Sequence, residues 1–147
     1  FPASLERPVY FYTALIGGVL AIIAGRWVRR HPQWLKIFDA LGLAVFSILG
    51  AQVGLERDLN ALTVLLLGLL TGIGGGVLRD LLANDIPLVL HREVYALASL
   101  IGIGVLLALH YSGAPSTAGI ITGVLVTLAV RLAAIRWNLD LPRLYRA

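Results

Sequence analysis

Thr71-Gly72-Ile73-Gly74-Gly75-Gly76-Val77-Leu78-Arg79-Asp80 decides how this chain is read. Three consecutive glycines and an adjacent Arg–Asp pair stand in one of its most apolar segments. Gly costs about 1 kcal/mol relative to Ala in a helix interior. A charged side chain costs at least about 2.5 kcal/mol at the centre of a bilayer. A segment that carries both needs a compensating reason, and in a membrane protein the usual one is a permeation or binding path.

The surrounding composition makes the membrane the expected solvent. Hydrophobic residues are 59% of the 147 and charged residues 14%, against about 45–50% and about 25% in ordinary soluble domains. Mean hydropathy is +0.87. That much apolar surface exceeds what a core of this size can hide, so the expected class is an all-α polytopic membrane protein. The absence of Cys excludes a disulfide framework, a thiolate metal site and a thiol nucleophile. The absence of Met and the start at Phe1 read as a fragment truncated at its N-terminus, and Phe1 to Tyr10 has no signal-peptide pattern.

Five segments reach the roughly 20 apolar residues of a membrane span: Val9 to Val28, Leu35 to Leu55, Ala61 to Leu82, Val94 to His110 and Ala118 to Trp137. Tyr10, Tyr12, Trp27, Trp34, Tyr95, Tyr111 and Trp137 stand near their ends, as interfacial aromatics do. The net charge of +4 does not point to nucleic acid, because the cations sort by loop. Arg26, Arg29, Arg30, Lys36, Arg79, Arg92, Arg131, Arg136, Arg143 and Arg146 fall on one side, and only Arg7 and Arg57 on the other. Ten against two places the C-terminus in the cytoplasm by the positive-inside rule, with Phe1 outside and the bilayer as the first partner.

Residues 1–17 also align without gaps on residues 86–102. Pro2/Pro87, Leu5/Leu90, Arg7/Arg92, Val9/Val94, Tyr10/Tyr95, Leu15/Leu100, Ile16/Ile101 and Gly17/Gly102 are identical. The repeat unit holds three spans, an odd number, so successive copies run in opposite orientations, as in inverted-repeat transporters. On this register Phe1 corresponds to Ile86, and the first copy's two leading spans lie upstream of the chain.

Asp39-Ala40-Leu41-Gly42-Leu43, Gly72 to Asp80, Ile86-Pro87-Leu88-Val89-Leu90, Glu93-Val94-Tyr95-Ala96 and Arg131-Leu132-Ala133-Ala134-Ile135-Arg136-Trp137 resemble the bacterial trimeric intracellular cation channel family. The same sequences are also catalogued as an uncharacterised protein family and as a glycine transporter domain. The resemblance covers nearly the whole chain. It implies seven spans, as a three-plus-three inverted repeat and a final helix, in a homotrimer with one pore per protomer. The five spans here would be the third to seventh. Residues 1–34 would then close the first repeat, 35–112 form the second, and 113–147 carry the final helix and tail. The expected setting is a bacterial inner membrane, and the expected permeant partner a monovalent cation, potassium.

Two readings of the glycines stand side by side. A helix broken at Gly74, Gly75 and Gly76 would release carbonyls able to coordinate a dehydrated cation. Gly68, Gly72 and Gly76, four apart, equally suit close helix packing, as do Gly50/Gly54 and Gly119/Gly123. Arg79 and Asp80 are either a vestibule pair, with Arg79 held by a carboxylate or by helix-end carbonyls or acting as a gate, or a cytoplasmic-interface pair with Asp80 as a cap. Asp39 is a pore carboxylate or an N-cap of the second span. Ser47, Gln52 and Thr71, with Thr63, Thr122 and Thr127, either face a pore or make interhelical hydrogen bonds. Arg131 is expected to snorkel to the interface.

The expected function is a cation channel subunit gated at a glycine-broken helix. The alternative is a secondary transporter of a small zwitterion such as glycine, for which a broken helix in an inverted repeat serves equally. No P-loop follows Gly72–Gly76, no Ser/His or paired-carboxylate arrangement stands out, and His31, His91 and His110 are scattered. An enzyme, a cofactor and a metal site are therefore not expected.

Overall fold

In a bilayer each backbone amide must find its partner within the segment, so long apolar runs become helices. The computed structural model describes residues 8–82, 84–87, 89 and 93–138, without the side chains of residues 10, 21, 26, 28, 29, 32 and 93. Five helices are present among the described residues: α1 Pro8–Arg30, α2 Pro32–Glu56, α3 Ala61–Leu82, α4 Glu93–Tyr111 and α5 Ser116–Trp137. The architecture is all-α, as expected. Arg7, Arg92, Arg143 and Arg146 of the charge count, and residues 1–7 of the repeat, lie outside the described residues.

Five spans are expected, and among the described residues four helices are long and apolar enough to cross a membrane: Gln33–Glu56, Ala61–Leu82, Val94–Tyr111 and Ser116–Trp137. The apolar part of α1 is the shorter Phe11–Gly25, closed by Arg26. Two compact units divide the chain, residues 1–36 and 37–147. In the first, the Trp27 ring stands 5.2 Å from the His31 ring and 5.5 Å from the Trp34 ring, a cluster of the residue types that favour a membrane interface.

The second unit holds the site, and local chemistry fixes its ends. Asn60 caps α3, accepting the Thr63 amide at 2.9 Å and the Thr63 hydroxyl at 3.0 Å. Asn138 ends α5 in the left-handed region, with its N–H donating to the Ala134 carbonyl.

The broken helix expected at Gly74–Gly76 is corrected here: α3 is α-helical from Ala61 to Leu82 without interruption. The physical reason is a comparison of costs. Three glycines lose about 1 kcal/mol each relative to Ala, but every hydrogen bond opened in hydrocarbon costs several kcal/mol unless an outside group replaces it.

Intact, α3 has two unlike faces. Val64, Gly68, Gly72 and Asp80 are buried, at spacings of four and eight. Leu62, Leu66, Leu70, Leu78 and Leu82 form the exposed side, the arrangement of a helix with one face against neighbours and one toward lipid. A Cβ at Gly68 would stand 2.6 Å from the Ser47 carbonyl oxygen and 3.0 Å from the Ala51 Cβ. At Gly72 it would overlap the Ser47 side chain. Here the small-residue stripe packs α3 on α2. On α5 the buried residues are Gly119, Gly123, Thr127, Arg131 and Ala134. A Cβ at Gly102 of α4 would stand 2.9 Å from the Gly123 carbonyl oxygen, so α4 and α5 approach nearly backbone to backbone. Ile48, Ala51, Val64, Ile103, Leu106 and Leu107 fill the space between.

Candidate functional site

Both buried stripes carry a charge toward their C-terminal ends, Asp80 on α3 and Arg131 on α5, and the ionic cluster lies there. Arg79 Nη1 donates to Asp39 Oδ1 at 2.6 Å, joining α3 to α2. Its Nε and Nη2 donate to Asp80 Oδ1 at 2.8 and 2.7 Å. The Tyr95 hydroxyl, from α4, donates to the same Asp39 Oδ1 at 3.2 Å. The Arg131 guanidinium, from α5, lies over the Tyr95 ring with 4.7 Å to the centroid, within the range of a cation–π contact. Each of the four helices contributes: Asp39 from α2, Arg79 and Asp80 from α3, Tyr95 from α4 and Arg131 from α5. Among the described residues, two Arg and two Asp balance one another in the cluster, and such pairing is how ionised groups persist in a low-dielectric bundle.

Exposure is graded across the cluster. The Asp39 side chain is 4% exposed, while that of Arg79 keeps 31%. Asp39 Oδ2 is buried with no hydrogen-bond partner among the described residues. Gly76 makes the approach possible, because a Cβ there would stand 2.6 Å from the Tyr95 hydroxyl and 3.2 Å from Asp39 Oδ1. Gly74 and Gly75 differ, with open space around the position of an added Cβ.

Of the residues expected from sequence, the fold thus gathers Asp39, Gly76, Arg79 and Asp80 into one place and leaves Gly74 and Gly75, beside Gly76 in the chain, with open space at their Cβ positions. It does not bring the others there. Ser47 is fully buried and accepts a hydrogen bond from the Ser99 hydroxyl at 2.6 Å, which makes it part of the α2–α3–α4 packing. The Thr71 hydroxyl bonds back to the Leu67 carbonyl at 2.6 Å. Gln52 stands beside the α4–α5 connection, where its amide donates to Glu56 at 3.2 Å and to Ser116 at 3.3 Å.

Sequence reasoning missed two members. Tyr95 was taken as an interfacial aromatic, and it is 2% exposed inside the bundle. Arg131 was expected to snorkel, and it too is buried at 2%. The signal was available for Arg131: the four-residue spacing Gly119, Gly123, Thr127, Arg131 puts it on the packing face of α5.

A family model described as "Glycine transporter" matches residues 36–111. The UPF0126 inner membrane protein YadS of Escherichia coli K12 is 40% identical over 140 residues, which are 94% of this chain and 68% of that protein. A UPF0126 membrane protein of Vibrio cholerae is 42% identical over 138 residues, 90% of this chain and 56% of its own length. Among solved structures, the TRIC trimeric intracellular cation channel orthologue from Rhodobacter sphaeroides superposes with a TM-score of 0.86 at 30% identity, covering 93% of this chain and 71% of that one. A second structure, solved for conductance through TRIC cation channels, gives a TM-score of 0.85 at 32% identity over 99% of this chain and 72% of the other.

Proposed function

From the premise that the chain belongs to the TRIC/UPF0126 family of membrane proteins, we propose that it is a subunit of a monovalent cation channel, potassium being the permeant ion. Working as a homotrimer in a bacterial inner membrane, each protomer carries its own pore, with the C-terminus in the cytoplasm. The likeness to two TRIC cation channel structures supports the class.

The observation that carries the mechanism is the Arg79 guanidinium held between Asp39 and Asp80. A fixed positive charge on a cation path raises the barrier to entry, and the same bonds tie α3 to α2. With the latch made, the path is closed. When Arg79 leaves Asp39, the carboxylate is uncovered, and Oδ2, without a hydrogen-bond partner among the described residues, becomes a ligand oxygen for a passing cation. Gly74 and Gly75, open on their outer sides within two turns of Arg79, give α3 a place to bend while its hydrogen bonds adjust. In this account the glycines are a hinge in an intact helix, and the residue that gates is Arg79.

The family model's description favours a second reading, transport of glycine. Recording from the purified full-length protein in a planar bilayer separates the two. Potassium-selective unitary steps are the expected result. Saturable, gradient-driven glycine uptake without such steps would replace the channel by the transporter.

A further inference from the structure

Arg131 has no role yet in the latch reading, and it is placed expensively. It lies in the span Ser116–Trp137, where a long cationic side chain ordinarily escapes to the interface. Here it turns inward, is 2% exposed, and lays its guanidinium over the ring of Tyr95. An interfacial anchor has no use for that burial.

What the ring does next gives the placement a meaning. Gly76 leaves room at the hydroxyl end, where a Cβ would stand 2.6 Å from the oxygen. The hydroxyl reaches past it to Asp39 Oδ1, the atom that Arg79 Nη1 also holds. Stacking on one side and a close fit on the other fix the ring, so Tyr95 occupies one of the acceptor directions of Asp39 and sets where its carboxylate points. A planar guanidinium suits the ring face better than an ammonium.

We infer that Arg131 is a positioning residue for the channel gate. It clamps Tyr95 so that the tyrosine hydroxyl holds Asp39 in register with Arg79, and it thereby couples α5 to the latch between α2 and α3. This inference rests on the latch reading above. Movement of α5 shifts the ring, frees the Asp39 carboxylate and opens the path, while Arg131 and Tyr95 themselves contribute no ligand to the ion.

Single-channel recording of the full-length protein, with three variants and one combination, tests this. Arg131→Gln and Tyr95→Phe are each expected to raise open probability by about fivefold or more, the lower end of ordinary coupling between linked sites. Unitary conductance is expected to stay at the parent value, which loss of packing alone would not produce. In the combination, Arg131→Gln adds no further change, because its effect passes through the tyrosine hydroxyl. Independent, multiplying effects of the two substitutions would overturn the inference, as would a changed conductance with unchanged gating. Arg79→Gln serves as the control on the underlying reading. If it shifts gating while Arg131→Gln does not, the latch stands and the role of Arg131 falls; if Arg79→Gln does nothing, the latch itself falls. Should Arg131→Gln fail to assemble, Arg131→Lys keeps the charge and loses the planar stack. It is then expected to give a smaller rise that again vanishes with Tyr95→Phe, and parent gating would count against the clamp.

Discussion

Two sets of glycines lie on one helix and do opposite things. Gly68, Gly72 and Gly76 face inward, and an added methyl group at any of them meets Ser47, Ala51, Tyr95 or Asp39. Gly74 and Gly75 meet nothing within 4 Å. The first set is small because neighbouring helices come close, as in membrane bundles generally. Packing gives the second set no such reason. A glycine that costs helix stability and gains no contact is the one whose purpose lies in motion or in what passes by it.

The sharpest way to break this comparison is to fill the inward face. Gly72→Leu would drive a side chain into Ser47 and the Leu43 carbonyl, which stands 3.2 Å from an added Cβ. The expected loss is about 3 kcal/mol or more, the upper range of overpacking, read as loss of the folded protein in a detergent thermal melt. A melt close to the parent would mean that α2 and α3 are not held by this stripe.

Asp39→Asn acts at the point where the stripe meets the charges. It removes a charge-assisted hydrogen bond from Arg79, worth about 1.5–3 kcal/mol where buried and less here because Arg79 is partly exposed. A modest drop in melting temperature should accompany a higher open probability. If stability falls and gating does not move, the pair is only structural.

Gly74→Ala probes the open face and has the smallest expected effect. With no contact to violate, the folded protein should be unchanged or more stable by up to about 1 kcal/mol, while a stiffer helix should slow or reduce opening. Destabilisation would show that a neighbouring protomer or segment covers Gly74 in the assembled protein.

How much of this was legible in the sequence follows from which interactions are local. Span positions were, because apolar length and polar ends act within a segment: Ala61 to Leu82 is found as read, and the other helices extend the expected spans by a residue or a few, except at Trp137, where α5 ends as read. The small-residue stripes were legible too, since helical periodicity alone places Gly68, Gly72 and Gly76 together. The break at Gly74–Gly76 was misread because glycine cost was weighed without the larger cost of opening backbone hydrogen bonds in a bilayer. Pairing of Arg79 with a carboxylate was anticipated, but Asp39 as partner depends on the α2–α3 packing, forty residues apart in the chain. The convergence of Tyr95 and Arg131 on it depends on three helices at once, and no local pattern carries that. Ser47 and Gln52 were polar candidates of the same kind, and the same packing took them elsewhere.

The central claim is that Arg79, held by Asp39 and Asp80, closes a cation path. Single-channel recording of the full-length protein carrying Arg79→Gln, alongside the parent in symmetrical potassium, tests it most directly. The account predicts a folded variant with open probability or conductance clearly above the parent. Parent-like openings and conductance from a folded Arg79→Gln channel would contradict it.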